Sequence, residues 1–176
     1  MKQVKQFAMV LSILVLTGIF SSQATAQPNM EEGQIAVNAG FTYGFTIEEP
    51  GLRVGATYFL SEDMRVGADV TYWFVDSHAG VDFTYLEFNG NFHYLFHRED
   101  DLVIYGIGAL GVHYADVSSP QMNGWGGGSY SDTELGLGIG GGIEYSLGGF
   151  SIFAEPKLFL TGFDQLKFNV GARFYL

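Results

Sequence analysis

The chain has 176 residues, with 19 acidic against 8 basic side chains and a formal net charge of −11 at pH 7. This negative charge argues against nucleic acid or an anionic membrane surface as an electrostatic partner. Charged residues make up only 15% of the chain, whereas aromatic residues make up 16% and glycine occurs 25 times, a mixture too poor in charge for an ordinary soluble surface and too aromatic for disorder.

The N-terminus has the pattern of a secretory signal peptide. Two lysines precede an uncharged, largely apolar run at residues 7–20, and the small-residue sequence ATA follows at 24–26. We predict a cleaved signal peptide at 1–26 and one mature domain at 27–176. The alternative is a membrane anchor, but the apolar run is shorter than the roughly 20 residues that span a bilayer. The chain has no cysteine, which excludes disulfides, a thiol nucleophile and a lipid-anchored terminus.

Beyond the signal, apolar residues recur at every second position, which is the period of a β-strand. Seven segments show this alternation clearly and an eighth, at 102–114, is apolar on both faces, so its register stays open. The eight predicted strands, in chain order, are 34–45, 52–60, 64–74, 83–96, 102–114, 134–147, 150–160 and 167–176. Tight turns at 61–63, 97–101 and 148–149 alternate with connections that include longer loops at 75–81 and 115–132. This asymmetry is typical of a transmembrane β-barrel.

The alternation has to be oriented, because a soluble barrel would bury its apolar side. An eight-stranded barrel is only wide enough for its interior to be filled by side chains, and the seven clear segments carry too many Phe, Tyr and Leu residues to fit inside. Their opposite face is rich in glycine and polar residues. We therefore predict an all-β, eight-stranded antiparallel up-and-down transmembrane barrel with its apolar face in lipid.

Two runs match G-x-G-x-x-G, at 106–111 and 136–141. A dinucleotide site needs a helix immediately after such a run, and both runs lie within predicted strands. We interpret their glycines as small lumen positions.

The last predicted strand carries the pattern that ends outer-membrane barrel proteins. Asn169, Gly171, Phe174 and Leu176 follow polar-x-Gly-x-x-aromatic-x-hydrophobic, with Leu176 where the usual last residue is Phe. The mature chain resembles the small outer-membrane barrels of the OmpX and OmpA transmembrane type. The resemblance implies a place in the outer membrane of a Gram-negative bacterium, both termini periplasmic, and assembly by the barrel-assembly machinery that reads this terminal signal.

Ten charged residues of balanced sign fall on the predicted lumen face. Buried charges have to be paired, so we predict a salt-bridged network that closes the lumen, with a charged pore lining as the alternative. The ten are Arg53, Arg65, Asp69, Glu87, Glu134, Glu144, Glu155, Lys157, Lys167 and Arg173. His93 is expected to join this network, whereas His113 has no visible partner.

No catalytic, cofactor or metal site is predicted. Asp76, Ser77 and His78 are the residue types of a catalytic triad, but consecutive residues rarely converge on one proton-transfer line. Seven acids fall on the long-loop rim, where divalent cations could bridge them to lipopolysaccharide phosphates: Glu48, Glu49, Asp76, Asp82, Asp116, Asp132 and Asp164.

The predicted function is that of a monomeric, non-enzymatic outer-membrane barrel with a structural or surface-interaction role, in contact with outer-membrane lipids and lipopolysaccharide. A narrow porin-like channel is the first alternative, and a lipid-modifying enzyme is the second.

Overall fold

The computed structural model describes residues 31–75, 82–118, 129–162 and 165–176. These form eight strands: β1 (Ile35–Gly44), β2 (Glu49–Phe59), β3 (Met64–Trp73), β4 (Asp82–Glu99), β5 (Leu102–Ser118), β6 (Ser129–Ser146), β7 (Phe150–Phe159) and β8 (Gln165–Tyr175). Each strand pairs antiparallel with its neighbours in the chain, and β8 pairs with β1 to close the barrel. The predicted fold class is confirmed.

No helix in the described ranges is both long and apolar enough to cross a membrane. The predicted signal peptide at 1–26, the run Asp76, Ser77 and His78, and Asp164 lie outside the described residues.

The apolar face of the seven clear segments points outward, as predicted. Phe41 is 65% exposed and Leu135 is 64% exposed, and the pattern repeats along every strand. Strands β1, β2, β3, β7 and β8 have 10 or 11 residues, which at about 3.3 Å per residue and a tilt of about 40° gives an outer band roughly 25 Å tall. This height matches the hydrocarbon region that such barrels span.

The structure resolves the register of β5, which the sequence left open. Val103, Tyr105, Ile107 and His113 face the lumen and are buried, whereas Leu110 is exposed. The glycine interpretation was therefore wrong in part. A Cβ on Gly106 or Gly108 would meet nothing within 4 Å, because on β5 the even-numbered positions face outward.

Gly141 faces outward as well, since on β6 the inward positions are even-numbered, as at the buried Glu144. Gly111, Gly136 and Gly138 do face the lumen, where an added Cβ would meet the ring of Phe159.

The two rims of the barrel differ. The terminal-side rim, which carries the start of β1 and the end of β8, has the short connections 60–63, 100–101 and 147–149. The loop-side rim has connections 45–48, 74–81, 119–128 and 160–164, and on this side β4, β5 and β6 extend beyond their neighbours. Asp100 turns the tightest connection with φ of 50°, a left-handed conformation that Asp adopts more readily than most residues.

Candidate functional site: the charged lumen

The lumen is lined by charged side chains that are withdrawn from solvent. Nine of the ten residues predicted for the charge network are buried, each with at most 4% of its surface exposed. Glu134 is the exception: it is partly exposed near the loop-side rim, and no ion pair joins it to the other nine within the described ranges. The structure thus brings nine of the ten together and leaves Glu134 apart.

The first group of contacts surrounds Arg53 in the middle of the lumen. Its guanidinium donates to Asp69 Oδ2 at 2.9 Å and to Glu155 Oε2 at 2.8 Å. Glu155 also accepts a hydrogen bond from the Tyr105 hydroxyl at 2.8 Å. Asp69 accepts from the side-chain amide of Asn91 at 2.6 Å. One guanidinium therefore joins strands β2, β3 and β7.

The second group converges on Glu144 of β6. Arg65 Nη2 lies 2.9 Å from Glu144 Oε2, and Arg173 and the Tyr175 hydroxyl both donate to the same carboxylate. Arg65 also donates through Nε to His93 Nδ1 at 2.9 Å. Glu144 thus ties β3 and β8 to β6 across the terminal-side half of the lumen.

The third group lies toward the loop side. Lys167 pairs with Glu87, whose Oε1 also accepts from the Asn89 amide at 2.7 Å. Lys157 donates to Asn91 Oδ1 at 2.7 Å. These contacts join β4, β7 and β8.

Aromatic rings pack against the cations of the network. The Arg65 guanidinium lies 4.4 Å from the Tyr105 ring centre, and Arg53 and Arg173 lie 5.6 and 5.0 Å from that of Phe153. A cation over a ring face is attracted by the ring quadrupole, more strongly when it is desolvated. These rings therefore add stabilisation that a count of ion pairs leaves out.

Less polar layers lie on both sides of the charged layer. On the terminal side, buried Ala36, Phe59, Leu95, Val103, Tyr105 and Ile107 form one apolar cluster. On the loop side, Trp73 stacks on Tyr85, Tyr85 stacks on His113, and His113 meets the edge of Phe159. The charged side chains are thus enclosed along the barrel axis as well as by the wall.

Glycines on the inner face of β6 leave room for lumen side chains of the neighbouring strands to lie against the β6 backbone. Gly136, Gly138, Gly140 and Gly142 face the lumen in succession. A Cβ on Gly142 would overlap the ring of Tyr105, and one on Gly140 would lie 3.2 Å from Cγ of Lys157. The absence of side chains at these glycines therefore leaves the space that side chains of β5 and β7 occupy.

Two lumen contacts were not anticipated from the sequence. Tyr105 enters the network because β5 has the register described above. The other is His113, which had no expected partner: its Nδ1 lies 3.0 Å from the hydroxyl of Tyr85 and 3.7 Å from Oε2 of Glu87. The sequence pattern gives little indication of either contact, because β5 is apolar on both faces.

The candidate terminal signal is split between the two faces of β8. Asn169 faces the lumen, where its amide donates to the backbone oxygen of Glu155 at 3.1 Å. Phe174 faces outward and stacks on Phe150, and the Leu176 amide donates to the Ile35 carbonyl oxygen at 2.9 Å. Within the described part of the chain, no group of three or more His, Asp or Glu side chains could hold a metal ion.

Comparison with known proteins places the fold among bacterial outer-membrane barrels. No family model and no curated protein matches the sequence. Among solved structures, Ail of Yersinia pestis is 18% identical with a TM-score of 0.58, and the match covers 82% of this chain and 99% of Ail. The N-terminal barrel domain of Pseudomonas aeruginosa OprF is 14% identical with a TM-score of 0.62, covering 82% and 98%. Neisserial surface protein A is 17% identical with a TM-score of 0.57, covering 81% and 95%.

These identities are low, so the matches show the fold. The chain has the fold of the small outer-membrane β-barrels, in agreement with the predicted resemblance and with the predicted location in a bacterial outer membrane.

Proposed function

We propose that this chain, a small outer-membrane β-barrel, has a non-enzymatic structural or surface-interaction role and that its lumen is closed to steady ion flow. The observation that carries the proposal is the pairing of the lumen charges. Arg53 pairs with two carboxylates at 2.8 and 2.9 Å. Glu144 contacts two guanidinium groups and the Tyr175 hydroxyl. A continuous water column would have to break such pairs in a low-dielectric interior.

Planar bilayer recording tests the closed lumen. The wild type should give no steady conductance, because filled interiors are usual in eight-stranded barrels. Arg53→Ala should lower the unfolding midpoint and admit transient currents, since it removes the shared partner of Asp69 and Glu155. A variant at the exposed rim, Arg98→Ala, is the control and should remain silent. Stable, ion-selective channels from the wild type would overturn the closed lumen and favour the porin-like alternative.

The surface role is supported by the charge of the loop-side rim. Five of the seven acids predicted for this rim lie in the described ranges, Glu48, Glu49, Asp82, Asp116 and Asp132, and no Lys or Arg lies in the described parts of the rim. This rim should therefore repel polyanions, including lipopolysaccharide phosphates, unless divalent cations bridge the two sets of anions. Binding of lipopolysaccharide vesicles that requires Ca²⁺ or Mg²⁺ and is lost with a chelator is the expected result, whereas chelator-resistant binding would contradict the bridge.

The outward apolar face provides the contact with membrane lipids, the terminal strand the signal for the barrel-assembly machinery, and the barrel acts as a monomer. A lipid-modifying enzyme is less favoured, because its candidate residues Asp76, Ser77 and His78 are consecutive, and consecutive residues rarely converge on one proton-transfer line.

A further inference from the structure

The described part of the lumen holds one more cation than anions. Five basic side chains are buried there, Arg53, Arg65, Lys157, Lys167 and Arg173, against four acids, Asp69, Glu87, Glu144 and Glu155. All four acids have a basic partner within 4 Å. Lys157 has no carboxylate within that distance among the described residues, and its Nζ contacts the neutral Asn91 amide oxygen. A buried charge without a counter-charge is strongly unfavourable.

The position of Lys157 adds to this imbalance. It lies directly opposite Lys167 in the β7–β8 pairing, and both side chains face the lumen. Like charges at facing positions of neighbouring strands destabilise a sheet. Lys167 reaches the carboxylate of Glu87, and Lys157 reaches Asp69 only through the amide of Asn91. Within the described residues, the two lysines therefore have one directly paired carboxylate between them.

Next to the lysines is a buried amide, Gln165, without a hydrogen-bond partner among the described residues. Gln165 precedes Lys167 by two residues on the same face of β8, is 1% exposed, and has neither amide atom hydrogen-bonded within the described residues. Its Nε2 lies beside Gly44, which pairs with Lys167. A buried unpaired polar group in a native protein often marks a site for an ordered water or ion, and amide and ammonium N–H groups are the donors that an anion requires.

We propose that the loop-side part of the lumen binds one small monovalent anion of the chloride class, held by Lys157 with Lys167 and Gln165. One negative charge balances the excess cation. The anion has to be small, because the ring of Phe159 already occupies the space above Gly136 and Gly138, and the Lys157 stem occupies that above Gly140. The acidic loop-side rim opposes anion entry, so exchange should be slow and samples need long equilibration.

The dependence of the unfolding equilibrium constant on chloride concentration tests the site. This measurement does not require any transport activity. The purified barrel is unfolded at constant ionic strength while chloride replaces gluconate, which is too large for the filled lumen. One anion released on unfolding should lower the unfolding equilibrium constant about tenfold for each tenfold rise in chloride above the dissociation constant. This dependence should vanish in Lys157→Met and in Lys157→Gln, and it should persist in Arg98→Gln, which changes an exposed rim cation.

Each result decides the proposal. No chloride dependence in the wild type would mean that Lys157 needs no counter-ion, and a dependence that survives both Lys157 variants would place the anion elsewhere; either overturns the site. Loss of the dependence in Arg98→Gln would reveal general screening and would also overturn it. Should the variants fail to fold, bromide-grown crystals of the wild type should show an anomalous peak beside Lys157 Nζ, and its absence would refute the site. The closed lumen is tested separately by conductance.

Discussion

Glu144 is the carboxylate on which the terminal-side half of the charge network depends. Glu144→Gln keeps the size of the side chain but removes the charge that Arg65 and Arg173 share with the Tyr175 hydroxyl. Arg173 retains a second carboxylate, Glu155, at 3.4 Å, whereas Arg65 retains none within 4 Å among the described residues. We expect a loss of about 3 kcal/mol in the free energy of unfolding, the lower end of the range for breaking a buried pair, because the amide oxygen can still accept one hydrogen bond.

The same strand offers a matched control. Glu134 has the same chemistry and faces the same side of β6, but it is partly exposed and outside the ion-pair network. Glu134→Gln should change stability by no more than about 0.5 kcal/mol, as for surface substitutions in general. The assay is urea unfolding in phospholipid vesicles, with the folded fraction determined by gel mobility. Equal midpoints for the two variants would refute the view that Glu144 bridges two buried cations.

Three further predictions follow from the wall, the terminal strand and the closed barrel. Gly142→Ala should lower stability by about 1–3 kcal/mol because its Cβ would overlap the Tyr105 ring, whereas Gly141→Ala, which faces lipid, should have little effect; similar unfolding midpoints would contradict the packing of this wall. Changing Phe174 and Leu176 together to Ser should leave export intact but leave unassembled chain in the periplasm, and normal surface assembly would contradict the terminal signal. Unboiled and boiled samples should migrate differently in denaturing gels, because the closed barrel satisfies its own backbone hydrogen bonds; identical mobility would count against a detergent-resistant barrel.

The sequence alone determined the architecture and most of the inward and outward assignments. A period of two forces successive side chains onto opposite faces, so the alternation puts Arg53 and Leu52 on opposite sides of the barrel wall. The apolar face carries too many large side chains to fit inside eight strands, and this assigns Arg53 to the lumen and Leu52 to the lipid face. The same reasoning failed for β5, because Val103 and Ile107 are as apolar as the lipid-facing residues beside them. Apolar residues on both faces of β5 remove the contrast that periodicity needs.

Only the tertiary structure decided which charges meet and which stay apart. Glu134 and Glu144 are the same residue type on the same face of one strand. They differ in height along the barrel axis, so Glu134 is partly exposed whereas Glu144 is buried and bridges two cations. Arg53 and Glu155 are 102 positions apart in sequence and meet across the lumen at 2.8 Å. Their contact depends on the stagger and tilt with which the eight strands close, and these quantities are set jointly by all the strand pairs, so no single segment of the sequence contains them.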